Sequence, residues 1–241
     1  MLGKQVIKDI QSLSEKKYRH ELKLFIAEGT KIVSEFMQLI PSQIEKIYAT
    51  SHWMKANKAV LHEKQVEVSE KELERISQLK TPNEVLAVVR QFENNEPLSI
   101  GFILYLDRIQ DPGNLGTIIR IADWFNVKNI VCSKGCADIY NPKLVQATMA
   151  SLARVNVYYD ENENWLEKQE LPVYAASLDG NPVFDYKKTD AGVLIIGNES
   201  KGIRPEFLEL ASEKITIPGK GGAESLNAAV ATGIILSHLL S

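Results

Sequence analysis

From residue 100 onward the sequence alternates short apolar runs with helical patterns, and this alternation constrains the fold more than any other feature. The apolar runs are GFILYLD, NIVCS, VNVYYD, LPVYAAS, GVLIIGNE and KITIP. Each is continuously apolar, which indicates a strand buried on both faces. Strands that alternate with helices predict an α/β domain with a parallel sheet. Because ligands of such sheets bind beyond the carboxyl ends of the strands, the residues after each run are the first candidates for a site.

The beginning of the chain carries a different, mixed pattern. Its strand-like runs are KLFIAEG, IEKIYAT and EVLAVVR, and helical stretches lie between them. The polar, proline-containing stretch QFENNEPLS then separates the two patterns and is typical of a linker. We therefore predict two domains, a small α/β domain over residues 1–96 and a larger α/β domain over residues 97–241.

The composition argues against several classes of protein. A net charge of -3 with 44% hydrophobic residues is ordinary for a globular protein and does not indicate a chain that is basic throughout. The two cysteines, Cys132 and Cys136, are too few for a disulfide framework and have no nearby histidine to complete a metal site. The apolar stretch 228–236 is too short to span a bilayer, and the N-terminal residues lack the apolar core of a signal peptide. We expect a cytoplasmic protein that holds no metal.

Positive charge gathers near the start of the chain. The cluster consists of Lys16, Lys17, Tyr18, Arg19, His20, Lys23 and Lys31. Basic side chains pair with phosphates and an aromatic ring stacks on a base, so this cluster is a candidate nucleic-acid contact. A helix end that faces water would carry the same charges.

The first strand of the larger domain is followed by DPGNLGTIIR, residues 111–120. Its proline and first glycine predict a turn, and Asn114 is placed to cap the helix that follows. Gly116 would let a ligand approach the backbone. Arg120 lies one turn further along, off the apolar stripe, and so points to the same region. A surface arginine would have the same spacing.

Two later strands also end in glycine-rich segments. GNESKG places Glu199 between Gly197 and Gly202, where a carboxylate could bind ligand hydroxyls, hold an arginine, or merely close a loop. GKGGAESLN precedes the last helix, and Ser225 is its expected N-cap. Asn227 stands out in an otherwise apolar helix, and a buried amide there would need a loop carbonyl or a ligand as partner. A helix that is apolar nearly all round indicates a deep core or a subunit interface.

In order along the chain, these segments resemble the three motifs of the SpoU (TrmH-type) RNA ribose 2'-O-methyltransferases of the SPOUT class. The motif residues are Asn114, Gly116 and Arg120 (NxGxxxR), Gly197, Glu199 and Gly202 (GxExxG), and Ile217, Pro218, Gly221, Ser225, Leu226 and Asn227 (IPxxGxxxSLN). The resemblance covers about residues 100–241. KYRHELKLFIAEGTKIV and TPNEVLAVV resemble the small N-terminal substrate-binding domain found in many of these enzymes.

The resemblance implies a fold and a cofactor. The larger domain should be a parallel-sheet SPOUT methyltransferase domain whose last helix threads a trefoil knot, and the protein should be a homodimer. S-adenosylmethionine should bind along the knotted loops, with no metal. By position, the cofactor-binding residues would be Ser177, Gly197, Gly202, Ile217, Gly221, Ser225 and Leu226.

The resemblance also implies a mechanism, direct transfer of the sulfonium methyl group to a ribose 2'-oxygen. We expect Arg120 to stabilise the developing oxyanion, because a guanidinium is effectively always protonated, although the family's arginine is also cast as a general base. Asn114 would position the ribose or Arg120. Glu199 would hold the arginine or orient groups across a dimer, and Asn227 would brace the cofactor loop. An acidic chain must gather its basic groups onto one face to hold RNA, and the expected RNA contacts are Lys16, Lys17, Arg19 and Arg120.

The substrate and some rival functions stay open at this stage. Ribosomal RNA is the first expectation, transfer RNA the second, and RNA binding without methylation the third. A dehydrogenase or kinase would need GxGxxG or GxxxxGK[ST] after its first strand, and neither motif is present. A Rossmann-type methyltransferase would need an acid ending its second strand, which NIVCSKG lacks. The chain departs from the family at Gly219, where methionine is common, and at Ala228 and Ala229, where Val-Ser is common; the change at Ala229 could weaken the chemistry.

Overall fold

The structure is a computed structural model, and it describes residues 1–57 and 62–241. Its internal contacts group the chain into two compact units. Unit 1 comprises Met1–Glu93 and Asp138–Ala153, and unit 2 comprises Asn94–Ala137 and Arg154–Ser241. The sequence indicates a single boundary near residue 96, whereas the contacts also assign a later segment to unit 1. The division into a substrate-binding and a methyltransferase domain stays a prediction.

Strands and helices follow one another in the order that the sequence patterns suggest. The strands are β1 (Leu24–Glu28), β2 (Ile44–Ala49), β3 (Gln65–Glu67), β4 (Val85–Arg90), β5 (Phe102–Leu106), β6 (Asn129–Ser133), β7 (Asn156–Asp160), β8 (Val173–Pro182), β9 (Gly192–Ile196) and β10 (Glu213–Thr216). The helices are α1 (Lys4–Ser12), α2 (Lys16–Leu22), α3 (Thr30–Leu39), α4 (Ser51–Ala56), α5 (Glu70–Ile76), α6 (Pro112–Trp124), α7 (Pro142–Thr148), α8 (Pro205–Leu208) and α9 (Ala228–Leu240). No helix in the described part of the chain is long and apolar enough to cross a membrane.

Unit 1 is built on a sheet with the strand order β1-β4-β2-β3. β1 and β2 run antiparallel to β4, and β3 runs parallel to β2. The segment that contains α7 belongs to this unit because its side chains pack on β1. The ring of Tyr140 lies 4.9 Å from that of Phe25, centroid to centroid, and Gln146 Nε2 donates to the Glu28 carbonyl at 2.9 Å.

The predicted RNA contact at Arg19 needs correction. Its side chain is only 2% exposed, because the guanidinium is held inside unit 1. Nη1 donates to the Leu13 and Ser14 carbonyls at 2.9 and 2.7 Å, and Nη2 donates to Asp138 Oδ2 at 2.6 Å. With these donors engaged, Arg19 is a structural residue, whereas Lys16 and Lys17 are exposed and keep their predicted role.

Unit 2 contains the parallel sheet that the alternating pattern predicts. Its strand order is β10-β8-β9-β5-β6-β7, and every neighbouring pair is parallel. The central strands β5 and β9 are buried along their whole length, which confirms the expectation from their continuous apolar runs. The carboxyl ends of β5 and β9 are therefore neighbours, so the segments after them meet.

Two further features of unit 2 shape the candidate site. The pairing of β10 with β8 jumps from Lys214↔Ala175 to Ile215↔Asn181, so residues 176–180 leave the ladder and form an excursion beyond it. α9 packs on α6. A Cβ added at Gly233 would lie 3.6 Å from Ile121 Cδ1, an ordinary van der Waals distance. α9 is only partly buried, however, because Val230 is 50% exposed.

Candidate active site

Three polar residues, one from each glycine-rich segment, form a hydrogen-bonded chain in unit 2. Asn114 Nδ2 donates to Glu199 Oε1 at 2.6 Å. Asn227 Nδ2 donates to Asn114 Oδ1 at 2.9 Å. Each end of the Asn114 amide is thus engaged, which fixes its orientation. We call Glu199, Asn114 and Asn227 the amide relay.

Asn114 does not cap α6, contrary to the sequence prediction. The N-cap is Asp111, whose Oδ1 accepts from the Asn114 backbone N–H at 2.9 Å, and Pro112 occupies the first helical position that suits proline. Asn114 therefore lies in the first turn of α6, and its side chain is available to reach Glu199. The segment offers two residues able to cap, and the backbone geometry decides between them.

The predicted cap of the last helix is also displaced. α9 begins at Ala228, and Asn227 rather than Ser225 is its N-cap. Asn227 Oδ1 accepts from the Ala229 and Val230 backbone N–H groups at 3.0 and 3.3 Å. Asn227 thus has a double role, since its oxygen caps α9 while its nitrogen holds Asn114. Its side-chain partner is another amide, not the loop carbonyl or ligand that the sequence suggests.

The glycines around Glu199 have a structural reason. A Cβ at Gly197 would lie 2.4 Å from the Gly202 carbonyl carbon and from the Ile203 nitrogen, so no other residue fits. Asn198 and Gly202 exchange both backbone hydrogen bonds, at 3.1 and 2.9 Å, and Gly202 has a φ of 67° that favours glycine. The two glycines close the tight loop that carries Glu199 to the end of β9.

Arg120 lies on α6 and is exposed, as its spacing predicts. Within the described residues it has no hydrogen-bond or ion-pair partner, so its guanidinium is free to bind an anion. The expectation that Glu199 holds Arg120 is not met within one chain, because the partner of Glu199 is Asn114. Gly116 is buried on the packed side of the same helix.

The residues predicted to bind a cofactor lie on the loops beyond β8, β9 and β10. Ser177 belongs to the excursion 176–180, where its hydroxyl donates to Asp179, and Ile217 is half-buried. The loop after β10 is open: Gly221 has no atom within 4 Å of an added Cβ, and Ser225 and Leu226 are exposed. These loops leave room for a ligand. No group of three or more His, Cys, Asp or Glu side chains in the described residues is arranged to hold a metal.

A second polar cluster lies at the carboxyl ends of the strands, and the sequence analysis missed it. Asp107, at the end of β5, is fully buried and accepts from Arg204 Nε at 2.9 Å and from the Arg204 backbone N–H at 2.8 Å. Arg204 also binds Glu163 with Nη1 at 3.0 Å and Nη2 at 2.5 Å. We call Asp107, Arg204 and Glu163 the charged clasp. The signal in the sequence is Asp107 itself, an acid that directly follows a wholly apolar strand.

Charge pairing governs the titration of the clasp. The hydrogen bonds from Arg204, more than any other cause, hold the pKa of Glu163 below its usual range. The same carboxylates hold the pKa of Arg204 above its usual range, chiefly through the hydrogen bond to Glu163. Glu163 and Arg204 are therefore both ionised at neutral pH. The stability that Glu163 contributes is present above the pKa of an ordinary glutamate and is lost as the pH falls through its lowered pKa.

Comparison with known protein families decides the relationship of this chain. A model of the SpoU rRNA Methylase family matches residues 101–237, which is more than half of the chain, and a model of the MRM3-like substrate binding domain matches residues 4–87. The chain belongs to the SpoU rRNA methylase family. This finding confirms the resemblance carried by the three motifs.

Individual members of the family resemble this chain along nearly its whole length. It is 31% identical to the 23S rRNA (guanosine(2553)-2'-O)-methyltransferase RlmP of Bacillus subtilis, over 98% of this chain and 96% of the relative. The solved structure of a TrmH-family protein from Porphyromonas gingivalis is 37% identical, with a TM-score of 0.88 over 98% and 97% of the two chains. The AdoMet-bound rRNA methyltransferase from Sinorhizobium meliloti is 31% identical, with a TM-score of 0.85 over 98% and 94%.

Proposed function

We propose that this SpoU-family protein transfers a methyl group from S-adenosylmethionine to a ribose 2'-hydroxyl of ribosomal RNA. The amide relay carries the proposal, because it joins one polar residue from each of the three motifs in one hydrogen-bonded chain. RlmP, with which this chain aligns over almost its whole length, is a 23S rRNA 2'-O-methyltransferase by name. Ribosomal RNA is therefore a better-supported substrate than transfer RNA.

The loops of unit 2 suit a cofactor of this chemistry. S-adenosylmethionine, when bound, supplies a methyl group on a sulfonium that is open to attack by an oxygen nucleophile. Leu178 and Leu226, which are 76% and 47% exposed, present apolar surface for an adenine ring. We assign cofactor contacts to Ser177, Gly197, Gly202, Ile217, Gly221, Ser225 and Leu226.

Arg120 is the residue to which we assign stabilisation of the reacting oxygen. The ribose 2'-oxygen gains negative charge as its proton leaves and its bond to the methyl carbon forms. A guanidinium keeps its proton at every working pH, so Arg120 lowers the free energy of this oxyanion by its charge and its N–H donors. The structure leaves those donors unengaged by the described residues, which suits the role.

The amide relay orients its neighbours rather than moving protons. Asn114 Oδ1 accepts from Asn227, which turns Nδ2 towards Glu199, and Glu199 Oε1 accepts one of the two Nδ2 hydrogens. We assign to Asn114 the positioning of the ribose and to Glu199 the anchoring of Asn114. Asn227 ties this group to the start of α9 and so to the cofactor loop before it.

We further propose that the protein is a cytoplasmic homodimer with a trefoil knot in unit 2. α6, α9 and the turn at Phe184 leave an apolar groove of about 470 Å³, lined in part by Val230 and Ile234. Phe184, which lines the groove, is 58% exposed, and exposed apolar patches of this kind mark interaction sites. A second copy of the chain would cover it. We assign RNA contacts to Lys16, Lys17 and Arg120.

The reaction is tested with methyl-labelled S-adenosylmethionine and separate, unmodified 23S rRNA and tRNA fractions. Alkali hydrolyses every linkage except those beside a 2'-O-methylated ribose, so label should appear in alkali-resistant dinucleotides from rRNA. Arg120→Ala should abolish that label while leaving cofactor binding intact. Label in mononucleotides would mean base methylation. Label from the tRNA fraction alone would mean that tRNA is the substrate. RNA binding without any label would indicate an RNA-binding protein that does not methylate.

A further inference from the structure

Arg108, the residue directly after the charged-clasp aspartate, has no part in the function described so far. It follows β5 at the carboxyl end of the strand and precedes α6, the helix that carries Asn114. Its side chain is 30% exposed, yet its Nε atom is fully buried and has no hydrogen-bond partner. A buried donor without a partner is rare in proteins and calls for an explanation.

The backbone of Arg108 is held in a strained conformation. Its φ is 53°, in the left-handed region that disfavours residues with a Cβ. The Ser133 hydroxyl accepts from its N–H at 3.0 Å, and Asn198 Nδ2 donates to its carbonyl at 2.9 Å. These two contacts fix the residue between the ends of β6 and β9. Strain of this kind concentrates at functional sites, where the surrounding structure maintains it.

The side chain is positioned as firmly as the backbone. Its stem passes over Gly135, where an added Cβ would lie 3.5 Å from Arg108 Cγ. Nε lies 3.4 Å from Asp107 Oδ1, too far for a good hydrogen bond. That carboxylate is already engaged by Arg204. Arg108 is therefore a cation with little freedom. Its Nε atom is out of reach of a ligand, whereas its two terminal nitrogens form no hydrogen bond with the described residues.

Two further cations belong to the chain segments that contact Arg108. Lys134 lies between Ser133 and Gly135, and Lys201 donates its backbone N–H to Asn198 Oδ1 at 3.1 Å. Both lysines are exposed, and among the described residues neither side chain forms an ion pair. The nearby acids of the clasp are bound by Arg204, as is Glu206 at 3.4 Å. Arg108 makes only the long 3.4 Å contact with Asp107, and the cations here outnumber the acids, so the group can still bind an external anion.

We propose that Arg108, with Lys134 and Lys201, binds a backbone phosphate of the RNA substrate. A guanidinium presents paired donors that match a phosphate, and a held guanidinium loses less entropy on binding than a mobile one. The proposal rests on the proposed function, since it supplies that site with a contact that holds the RNA. Arg108 is a binding residue in this account and takes no part in the chemical step.

The test measures binding of the full chain to an unmodified 23S rRNA transcript over a series of KCl concentrations. Arg108→Gln should weaken binding about tenfold near 0.1 M salt and reduce the slope of log K against log [KCl] by about one. Arg108→Lys, which keeps the charge, should retain the slope. The matched control is Arg154→Gln: Arg154 is 32% exposed but already paired with Asp123 at 2.8 Å, so binding and slope should not change.

Two further measurements separate the explanations. Arg108→Gly removes the cation and relieves the left-handed strain, so it should lose the same RNA affinity without a lower melting temperature. Cofactor affinity, measured by calorimetry, should be equal in all variants. Unchanged RNA binding by Arg108→Gln would overturn the inference, and so would loss of cofactor affinity instead, since the anion would then be the cofactor carboxylate. The wild-type protein is assayed for rRNA binding and methylation in the same series. If it does both while the Arg108 variants bind RNA normally, the role of Arg108 is wrong but the proposed function stands.

Discussion

The charged clasp and the amide relay lie at the carboxyl end of the same parallel sheet, but they are built differently. The clasp joins a guanidinium to two acidic side chains, one of which, Asp107, is fully buried. The relay joins two amides and one carboxylate, and its Asn227 is exposed. Charges buried together resist movement, because breaking any pair leaves an uncompensated ion. The contrast indicates that the clasp holds the loops in place and the relay faces the reaction.

The largest effect should follow from breaking the clasp. Arg204→Ala leaves Asp107 buried without its cation, so we expect a loss of about 3 to 5 kcal/mol in the free energy of unfolding. Urea denaturation measures it. Arg154→Ala, which removes an arginine from one partly exposed ion pair, should cost less than about 1 kcal/mol. Equal losses in the two variants would remove the distinction between the clasp and an ordinary surface pair.

Breaking the amide relay should lower the rate of methyl transfer and leave stability nearly unchanged. Asn114→Ala removes the group that positions the ribose, so methyl transfer should slow about a hundredfold, as a small misplacement of a reactant does. The free energy of unfolding should change by less than about 1 kcal/mol. Single-turnover kinetics and urea denaturation on the same preparation give both values. A variant that unfolds readily but, when folded, reacts at the normal rate would place Asn114 in the scaffold.

Asn227 both caps α9 and holds the Asn114 amide, and two substitutions separate these roles. Asn227→Ser keeps an oxygen that caps α9 but loses the donor to Asn114, so methyl transfer should fall about tenfold, a loss typical of one hydrogen bond, with little change in stability. Asn227→Ala loses the cap as well and should cost about 1 kcal/mol more. If the serine variant is fully active, the bond from Asn227 to Asn114 has no function.

The smallest effect concerns the core beside the clasp. The Tyr105 hydroxyl is buried and has no hydrogen-bond partner in the described structure. Burial, followed by the charges of Asp160 and Glu163, raises the pKa of Tyr105 well above its usual range. Tyr105→Phe removes the unsatisfied group and should stabilise the protein by about 1 kcal/mol without changing activity. Thermal unfolding would test this, and a lower melting temperature would reveal a partner for the hydroxyl.

Much of unit 2 could be predicted from the sequence, because its strands are continuous apolar runs and its three motifs follow three of them directly. The N-cap residues of α6 and α9 could not be predicted, since DPGN and ESLN each contain more than one residue with a capping oxygen. The burial of Arg19 could not be predicted for a different reason. Its partner Asp138 lies 119 positions away, and no local pattern distinguishes a lysine in water from an arginine buried by such a pair. The clasp is also a long-range arrangement, spanning Asp107 to Arg204.

The central claim is that the relay serves ribose methylation, and the modified nucleoside tests it most directly. Unmodified 23S rRNA is incubated with S-adenosylmethionine and either the wild-type protein or Asn114→Ala, then digested to nucleosides and analysed by mass spectrometry. The account predicts one 2'-O-methylated nucleoside, formed about a hundredfold more slowly by the variant. A base-methylated nucleoside, or equal rates for the two proteins, would contradict it.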